Sequence, residues 1–571
     1  MSSEPSTYKR VMRRLYRLYY RVKYFPFHAE RRKRREDTRR GFIAIQIDAL
    51  AHDDLERALR LGYVPTLKRL LDRNGWQLRR YPAGLPSATP AAQAAIFYGT
   101  KDLLPAFRWF EKETGRVLVG SKQPDVQFMR DRLPPEGILT GGSSYVNLYD
   151  GGAERAIFTV AARTPQRFLT KMGGRRVALL LALHPVRALM IVGESMWEYV
   201  REEWERLKSQ VRGEYTYYWW YLPFLHICTN VILRELQTLA VKLDVYTAAS
   251  KIYTTYNVYD EFAHHFGPGS RAALSSLRDL DRRIAEILRM VRRLPGRPYD
   301  IYILSDHGQT PSRPYRIEFG ETLGDSIVGA TDHGVLVMAG TGDYAPAHED
   351  IMQFLLQELE EVSSGSRLPT PNLGMRIGRW IRKQYKVFPL LPEVVREHSG
   401  IVVTYSSSLA HVYWSEPRRP LTFDEIRASP EQRALYYFLV AHKGIGVVIT
   451  RMLDGAHVEN RHGRCLVTPA GDMEILEGDD PLRDYASSAV ERRAITHIAS
   501  LRNAGDIVLF GTYDAARDQC ICFDDQVGAH GAMGGRQFWP FLMTAPGLVD
   551  PDCRLEDPLD LYPIFKRYTE S

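Results

Sequence analysis

Short apolar runs that stop at an acidic or histidine side chain recur along this chain. "GFIAIQID" (41–48) ends at Asp48, and "YDIYILSDHG" (299–308) runs into Asp306, His307 and Gly308. Unbroken apolar runs of this length, bounded by turn residues, predict strands buried on both faces. "GWQLRRYPA" (75–83) and "KIYTTYNVYDEFAHH" (251–265) read as further strands, the second passing into polar residues. Helical spacing fills the gaps. "DDLERALRLGYVPTLKRLLDRNG" stops at Gly75, and residues 269–294 place Leu274, Leu277, Ile284, Leu288 and Val291 on one face behind a Ser270 cap. Strands alternating with helices predict an α/β fold: a mostly parallel central sheet with helices on both faces.

Composition narrows this picture. A chain of 571 residues with 44% hydrophobic and 25% charged positions is globular rather than disordered. Its net charge of +8 is a property of one end, because residues 1–40 hold 14 Lys/Arg against Glu4, Glu30, Glu36 and Asp37. That leaves 62 basic and 64 acidic residues in the rest. Within the basic stretch Val11, Leu15, Leu18, Tyr19 and Val22 recur at helical spacing. Two readings follow: an amphipathic helix on an anionic membrane surface, or a solvated, disordered basic tail. No nucleic-acid partner is expected. Five cysteines without a CxxC pair predict neither a disulfide framework nor a zinc ribbon. With no secretory signal visible, the expected location is cytoplasmic, with peripheral attachment at the inner membrane face as its variant.

The expected organisation is a tail over residues 1–40 and a catalytic domain over 41–571, with insertions at about 150–245 and 365–500. The apolar stretches 177–193 and 215–233 are broken by Pro185, Arg187, Pro223 and Asn230, so they read as insertion helices rather than membrane spans. Residues 363–374, rich in Ser, Pro and Gly, read as a linker or surface loop.

The strand ends carry the chemistry. Asp48, Asp260, His264, Asp306, His307 and His530 each lie beside a strand end or a Gly-containing turn, and Asp260 and His264 are one helical turn apart. Three carboxylates and three imidazoles suffice for two adjacent oxygen/nitrogen sites, a donor set that suits zinc or manganese better than calcium. "LPSATPAAQAAIFYGT" (85–100) predicts a helix with Pro90 in its first turn, Gly99 at its end and Thr89 at the cap. A hydroxyl there faces outward-pointing backbone N–H groups that favour an anion, and beside a metal it becomes a nucleophile. An ordinary N-cap is the alternative for Thr89, and Ser87 is the rival nucleophile if the register shifts.

Taken in order, "IQIDAL", "LPSATPA", "YDEFAHHFGP", "SDHGQ" and "GAHG" resemble the alkaline phosphatase superfamily, in its type I phosphodiesterase/nucleotide pyrophosphatase branch. "PAFRWFEKETGR" and "GGSSYVNLYDGGAE" are similar to bacterial members of that superfamily. The resemblance implies two divalent metals, zinc with manganese as the alternative. Asp260, His264 and His530 would hold one, and Asp48, Asp306, His307 and Thr89 the other. It further implies in-line attack by Thr89 on phosphorus, a phosphothreonine intermediate, and a phosphate-ester substrate that is a small molecule or a lipid. Phosphomonoesterase or phosphotransferase activity is the near alternative, and a catalytically silent membrane-surface binding protein the distant one.

The sequence also departs from the family. The branch follows its nucleophile with "FPNH", whose Asn helps bind a phosphoryl oxygen, whereas this chain has Pro90, Ala91, Ala92 and Gln93. Gln93 or backbone N–H groups must then replace that donor. Arg108 and Asn147 join Gln93 as candidate substrate contacts. The sulfatase branch is excluded by the lack of Cys-x-Pro-x-Arg. Asp524 and Asp525 are expected to orient the His530 ring, and His411 reads as a satisfied core histidine.

Overall fold

The computed structural model describes residues 7–28, 31, 39–162, 233–294, 296–331, 335–338 and 400–570, with scattered positions between 193 and 231. The stretches 177–193 and 215–233, but for Gly193, Val231 and Leu233, and the whole linker candidate 363–374 lie outside the described residues.

A seven-stranded sheet forms the centre. Its order is Gln77–Arg80, Phe541–Thr544, Tyr299–Leu304, Gly41–Ile47, Lys251–Tyr256, Ser143–Tyr145, Arg155–Ile157. The last five run parallel, while Phe541–Thr544 pairs antiparallel with both of its neighbours. Period-2 geometry sends alternate side chains to opposite faces. Ile43, Ile45, Ile47 and Ile303 pack under the helices Arg234–Thr247 and Arg271–Arg293, whereas Phe42, Ala44, Tyr302 and Leu304 pack under Thr89–Tyr98 and Leu561–Glu570. Both faces are covered, so the strands must be apolar throughout. That is why they read as continuous runs rather than alternating ones.

A second, eight-stranded sheet lies beside the first, ordered Val335–Met338, Ile401–Ser406, Leu409–Trp414, Ile507–Gly511, Ile445–Met452, Gly455–Asn460, Gly463–Val467, Met473–Gly478. Apart from its first pair it is antiparallel. Its helices cover both faces too, Ala489–Ser500 on one and Pro430–Ala441 on the other. The sheet therefore begins before and ends after the insertion expected at 365–500.

The N-terminal segment is a helix, Thr7–Lys23. Tyr24 and Phe27 behind it are buried in the central core, and Tyr24 packs on Tyr246 with ring centroids 5.0 Å apart. Among the described residues, no helix is long and apolar enough to cross a membrane. Cys465, Cys520, Cys522 and Cys553 are free thiols.

His411, on the Leu409–Trp414 strand, ties together two loops. Its Nε2 lies 3.1 Å from the Pro105 carbonyl, and its Nδ1 accepts the Gly505 N–H at 2.9 Å. A ring that accepts at one nitrogen and donates at the other is neutral, and burial holds its pKa down at about 4. His457 is likewise buried, its ring stacked on Phe423 with centroids 3.8 Å apart.

A histidine held neutral in the fold binds fewer protons than its unfolded counterpart between pH 4 and 6.5, so its contribution is lost as pH falls through that window. The stability advantage of wild type over His411→Asn is expected to shrink by about 2 kcal/mol between pH 7 and pH 4.5. Paired urea titrations at the two pH values measure this.

Candidate active site

Three neighbouring parallel strands deliver the acidic groups. Tyr299–Leu304, Gly41–Ile47 and Lys251–Tyr256 lie side by side, and at their carboxyl ends follow Asp306 with His307, Asp48, and the short helix Val258–Phe266 carrying Asp260 and His264. This is the edge at which open α/β sheets bind ligands. His530 arrives from the far end of the chain, because Ala529 pairs with Thr310 four residues beyond Asp306.

The structure brings all six groups together as two triplets. Asp260, His264 and His530 offer donor atoms within 4.8 Å of one another, and so do Asp48, Asp306 and His307. The triplets adjoin: the His307 and His530 rings stack at 4.3 Å, and His264 lies 5.1 Å from His530. Among the described residues one further triplet, His52, Asp53 and Glu56, sits on the surface, as exposed acidic groups commonly do.

Each ring is aimed by a backbone carbonyl. Nδ1 of His264 faces Gly528 O at 2.8 Å, Nδ1 of His307 faces Gly308 O at 2.9 Å, and Nδ1 of His530 faces Ser87 O at 3.1 Å. A carbonyl accepts only from N–H, so the proton sits on Nδ1 and the Nε2 lone pair turns inward. This is the tautomer a metal ligand needs.

The carboxylates are crowded. Burial, reinforced by Asp306 and Asp260, holds the Asp48 carboxyl well above the usual range. Burial acts on Asp260 in the same direction, but the His264, His530 and His307 imidazoles outweigh it and bring that carboxyl below the usual range. Burial, then His307 and His264, keeps the His530 ring neutral. Asp306 accepts the Ala49 N–H at 3.3 Å on Oδ1, while its buried Oδ2 has no hydrogen-bond donor. Ala49 reaches this position through a left-handed backbone (φ 55°). Like charges gathered in a buried pocket with an orphaned carboxylate oxygen lack positive charge, and two divalent cations fit that donor set.

Thr89 stands against the second triplet. The helix starts at Thr89, with Ala88 as its cap residue, so Thr89 makes no capping bond. Its Oγ1 donates to Asp48 Oδ1 at 3.2 Å and lies 3.1 Å from His307 Nε2. Ser87 is a clamp rather than a rival. It is fully buried, donating to Ala532 O at 2.8 Å and accepting from Gly531 N at 2.9 Å, so it binds the Thr89 loop to the His530 loop.

The three candidate substrate contacts are engaged within the protein. Gln93 Oε1 accepts from Leu148 N at 2.8 Å, and its amide faces Asn147 and Thr255. Asn147 in turn bonds Ser144 and Thr255. Arg108 donates to Tyr405 O at 3.0 Å and pairs with Asp524 at 3.3 Å. All three side chains are buried and bonded to other elements of the fold. Asp524 and Asp525, expected to orient the His530 ring, bond elsewhere: Asp524 accepts the Ser407 N–H at 2.9 Å, and Asp525 pairs with Arg316.

Several positioning residues escaped the sequence reading. Ser407 Oγ accepts the His530 N–H at 3.2 Å, and Ser408 donates twice to the His530 carbonyl, from N at 3.0 Å and from Oγ at 2.9 Å. The turn joining two strands of the second sheet thus grips the loop of one ligand. Gln309 donates to Asp260 Oδ1 at 2.5 Å. Only "SSS" before a strand and a Gln after "SDHG" hinted at them. Gly308 is required by close approach rather than by its φ, since a Cβ there would lie 2.2 Å from the Arg536 carbonyl.

Residues 42–353, more than half of the chain, match the family model of type I phosphodiesterase / nucleotide pyrophosphatase. No curated protein matches the sequence. Similar solved structures include phosphonoacetate hydrolase from Sinorhizobium meliloti 1021 in complex with phosphonoacetate (16% identity, TM-score 0.44, covering 93% of this chain and 96% of that one). Murine ectonucleotide pyrophosphatase/phosphodiesterase 5 in complex with AMP matches at 12% identity and TM-score 0.43, over 93% and 95% of the two chains. Alkaline phosphatase PafA matches at 12% identity and TM-score 0.42, over 89% and 92%.

Because the two triplets share no residue, they are expected to fill separately. Protein stripped with a chelator and dialysed against Zn²⁺ should take up two equivalents, and Asp306→Asn or His264→Ala should each reduce this to one. Elemental analysis measures the ratio. Uptake of two equivalents by both variants would show that these groups are not ligands.

Proposed function

Since this chain belongs to the type I phosphodiesterase/nucleotide pyrophosphatase family, we propose that it hydrolyses phosphoric diesters at the strand-end site, with Thr89 as nucleophile. One observation carries the reading: the Thr89 hydroxyl opens a helix and lies within 3.2 Å of both Asp48 and His307, at the edge of the donor cluster.

Asp260, His264 and His530 would hold one divalent cation and Asp48, Asp306 and His307 the other. Two such cations, zinc or in its place manganese, would neutralise the phosphoryl oxygens, acidify the Thr89 hydroxyl and, against three carboxylates, leave the net positive charge an anionic ester needs. The Thr89 hydroxyl gives up its proton to solvent, Oγ1 attacks phosphorus, and the P–O bond to the leaving group breaks; the departing alkoxide takes a proton from solvent. Water then attacks the same phosphorus, the Oγ1–P bond breaks, the remaining phosphomonoester leaves, and a proton from that water restores the Thr89 hydroxyl. The first turn of the Thr89–Tyr98 helix offers backbone N–H groups to a phosphoryl oxygen, which matters here because Ala92 has no donor and Gln93 is turned toward Asn147.

Hydrolysis of bis-p-nitrophenyl phosphate should exceed that of p-nitrophenyl phosphate on zinc-loaded protein. A faster monoester would move the reading to a phosphatase. Thr89→Ala is expected to lower diester turnover by about a thousandfold or more with Zn²⁺ uptake unchanged. Full activity in Thr89→Ala would remove the nucleophile from this scheme.

A further inference from the structure

The N-terminal helix presents two opposite faces. Tyr16, Tyr20 and Tyr24 follow one another at helical spacing on the inner side. Arg293 lies 4.0 Å over the Tyr16 ring, Tyr20 packs against the central core, and Tyr24 is buried in it. Leu15, Leu18, Tyr19 and Val22, at i, i+3, i+4 and i+7, face away, with exposures of 54, 59, 50 and 66%. Phe25 continues the row at 71%. Arg14 and Arg21, both exposed, flank it.

A free helix would turn such a row inward. This one is pinned from behind by its tyrosines, so the apolar row is held outward by the fold. The helix belongs to a 40-residue segment with 14 Lys/Arg and four acidic residues, while the rest of the chain is slightly acidic. Apolar side chains at the centre of a strongly basic face match a surface that is anionic outside and apolar beneath. A protein partner or a second copy would have to bring an acidic rim of its own. The remainder of this chain, nearly neutral overall, supplies no such excess.

We propose that the outward face of the Thr7–Lys23 helix docks the protein peripherally on an anionic lipid bilayer, with Leu15, Leu18, Tyr19, Val22 and Phe25 entering the headgroup boundary and the flanking basic residues meeting lipid phosphates. The docking needs no turnover, so it stands or falls apart from the catalytic reading.

The test is co-sedimentation of the full chain with vesicles of phosphatidylcholine alone and with about one third phosphatidylglycerol, at about 0.1 M and 0.5 M salt. Binding to the anionic vesicles that weakens at high salt is expected. Leu18→Glu with Val22→Glu should reduce it about tenfold or more, as should Arg14→Gln with Arg21→Gln. All four positions are exposed, so melting temperatures should stay at the wild-type value. Equal binding to both vesicle types, no binding to either, or binding indifferent to the Leu18/Val22 pair would overturn the proposal. So would sedimentation velocity showing a dimer that the Leu18/Val22 pair abolishes.

Discussion

Burying three carboxylates at the ends of three adjacent strands is the constraint on which the rest of the site turns. Parallel packing places Asp306, Asp48 and Asp260 at one edge, where burial together with Asp306 and Asp260 raises the cost of ionising Asp48. Left alone, such a cluster would protonate or open to water. The protein surrounds it with three imidazoles, each pointing its lone pair inward because a main-chain carbonyl takes its N–H. The carbonyls of Gly528, Gly308 and Ser87 therefore decide the chemistry as much as the ligands do. A helix start with the Thr89 hydroxyl then closes the cluster on one side.

The second sheet is part of that arrangement. Its Ser406–Ser408 turn holds His530 at both its N–H and its carbonyl, and a Cβ at Gly531 would strike the Ser406 carbonyl at 2.5 Å. Gly531 also needs its φ of 106°, so two independent demands fix glycine there. Asp524 ties the same turn to Arg108, and His411 ties the sheet to Pro105. What reads in the sequence as an insertion is the scaffold for one of the six donors.

The six donor-type residues that the fold brings together were legible because their signal is local. An apolar run that ends in Asp, or in Asp-His-Gly, marks a strand end without reference to anything distant. The supporting residues were not legible, for the opposite reason. Ser407 and His530 are separated by 123 positions and Ser87 and His530 by 443, so no spacing rule relates them. Asp524 and Asp525 show the hazard of arguing from proximity in sequence: six and five residues from His530, they turn to Ser407 and Arg316 instead. The second sheet was not legible at all: its strands Val335–Met338 and Ile507–Gly511 lie on either side of the insertion expected at 365–500, and pairing partners are not written in a strand's own pattern.

The departure at Ala92 takes its meaning from the same geometry. A side-chain amide three residues after Thr89 is one way to hold a phosphoryl oxygen, yet here Ala92 lacks the group and Gln93, one residue further on, is drawn into the Asn147–Thr255 cluster. That cluster lies behind the first turn of the helix and fixes its direction relative to the Lys251–Tyr256 strand, which leads into Asp260. Gln93 therefore ties the helix that carries Thr89 to the strand that leads into Asp260. Under the proposed mechanism the oxygen the missing amide would have held would be left to main-chain N–H groups, whose direction the same helix determines. Positioning Thr89 and binding the anion would then depend on one rigid element rather than on two separately adjustable side chains.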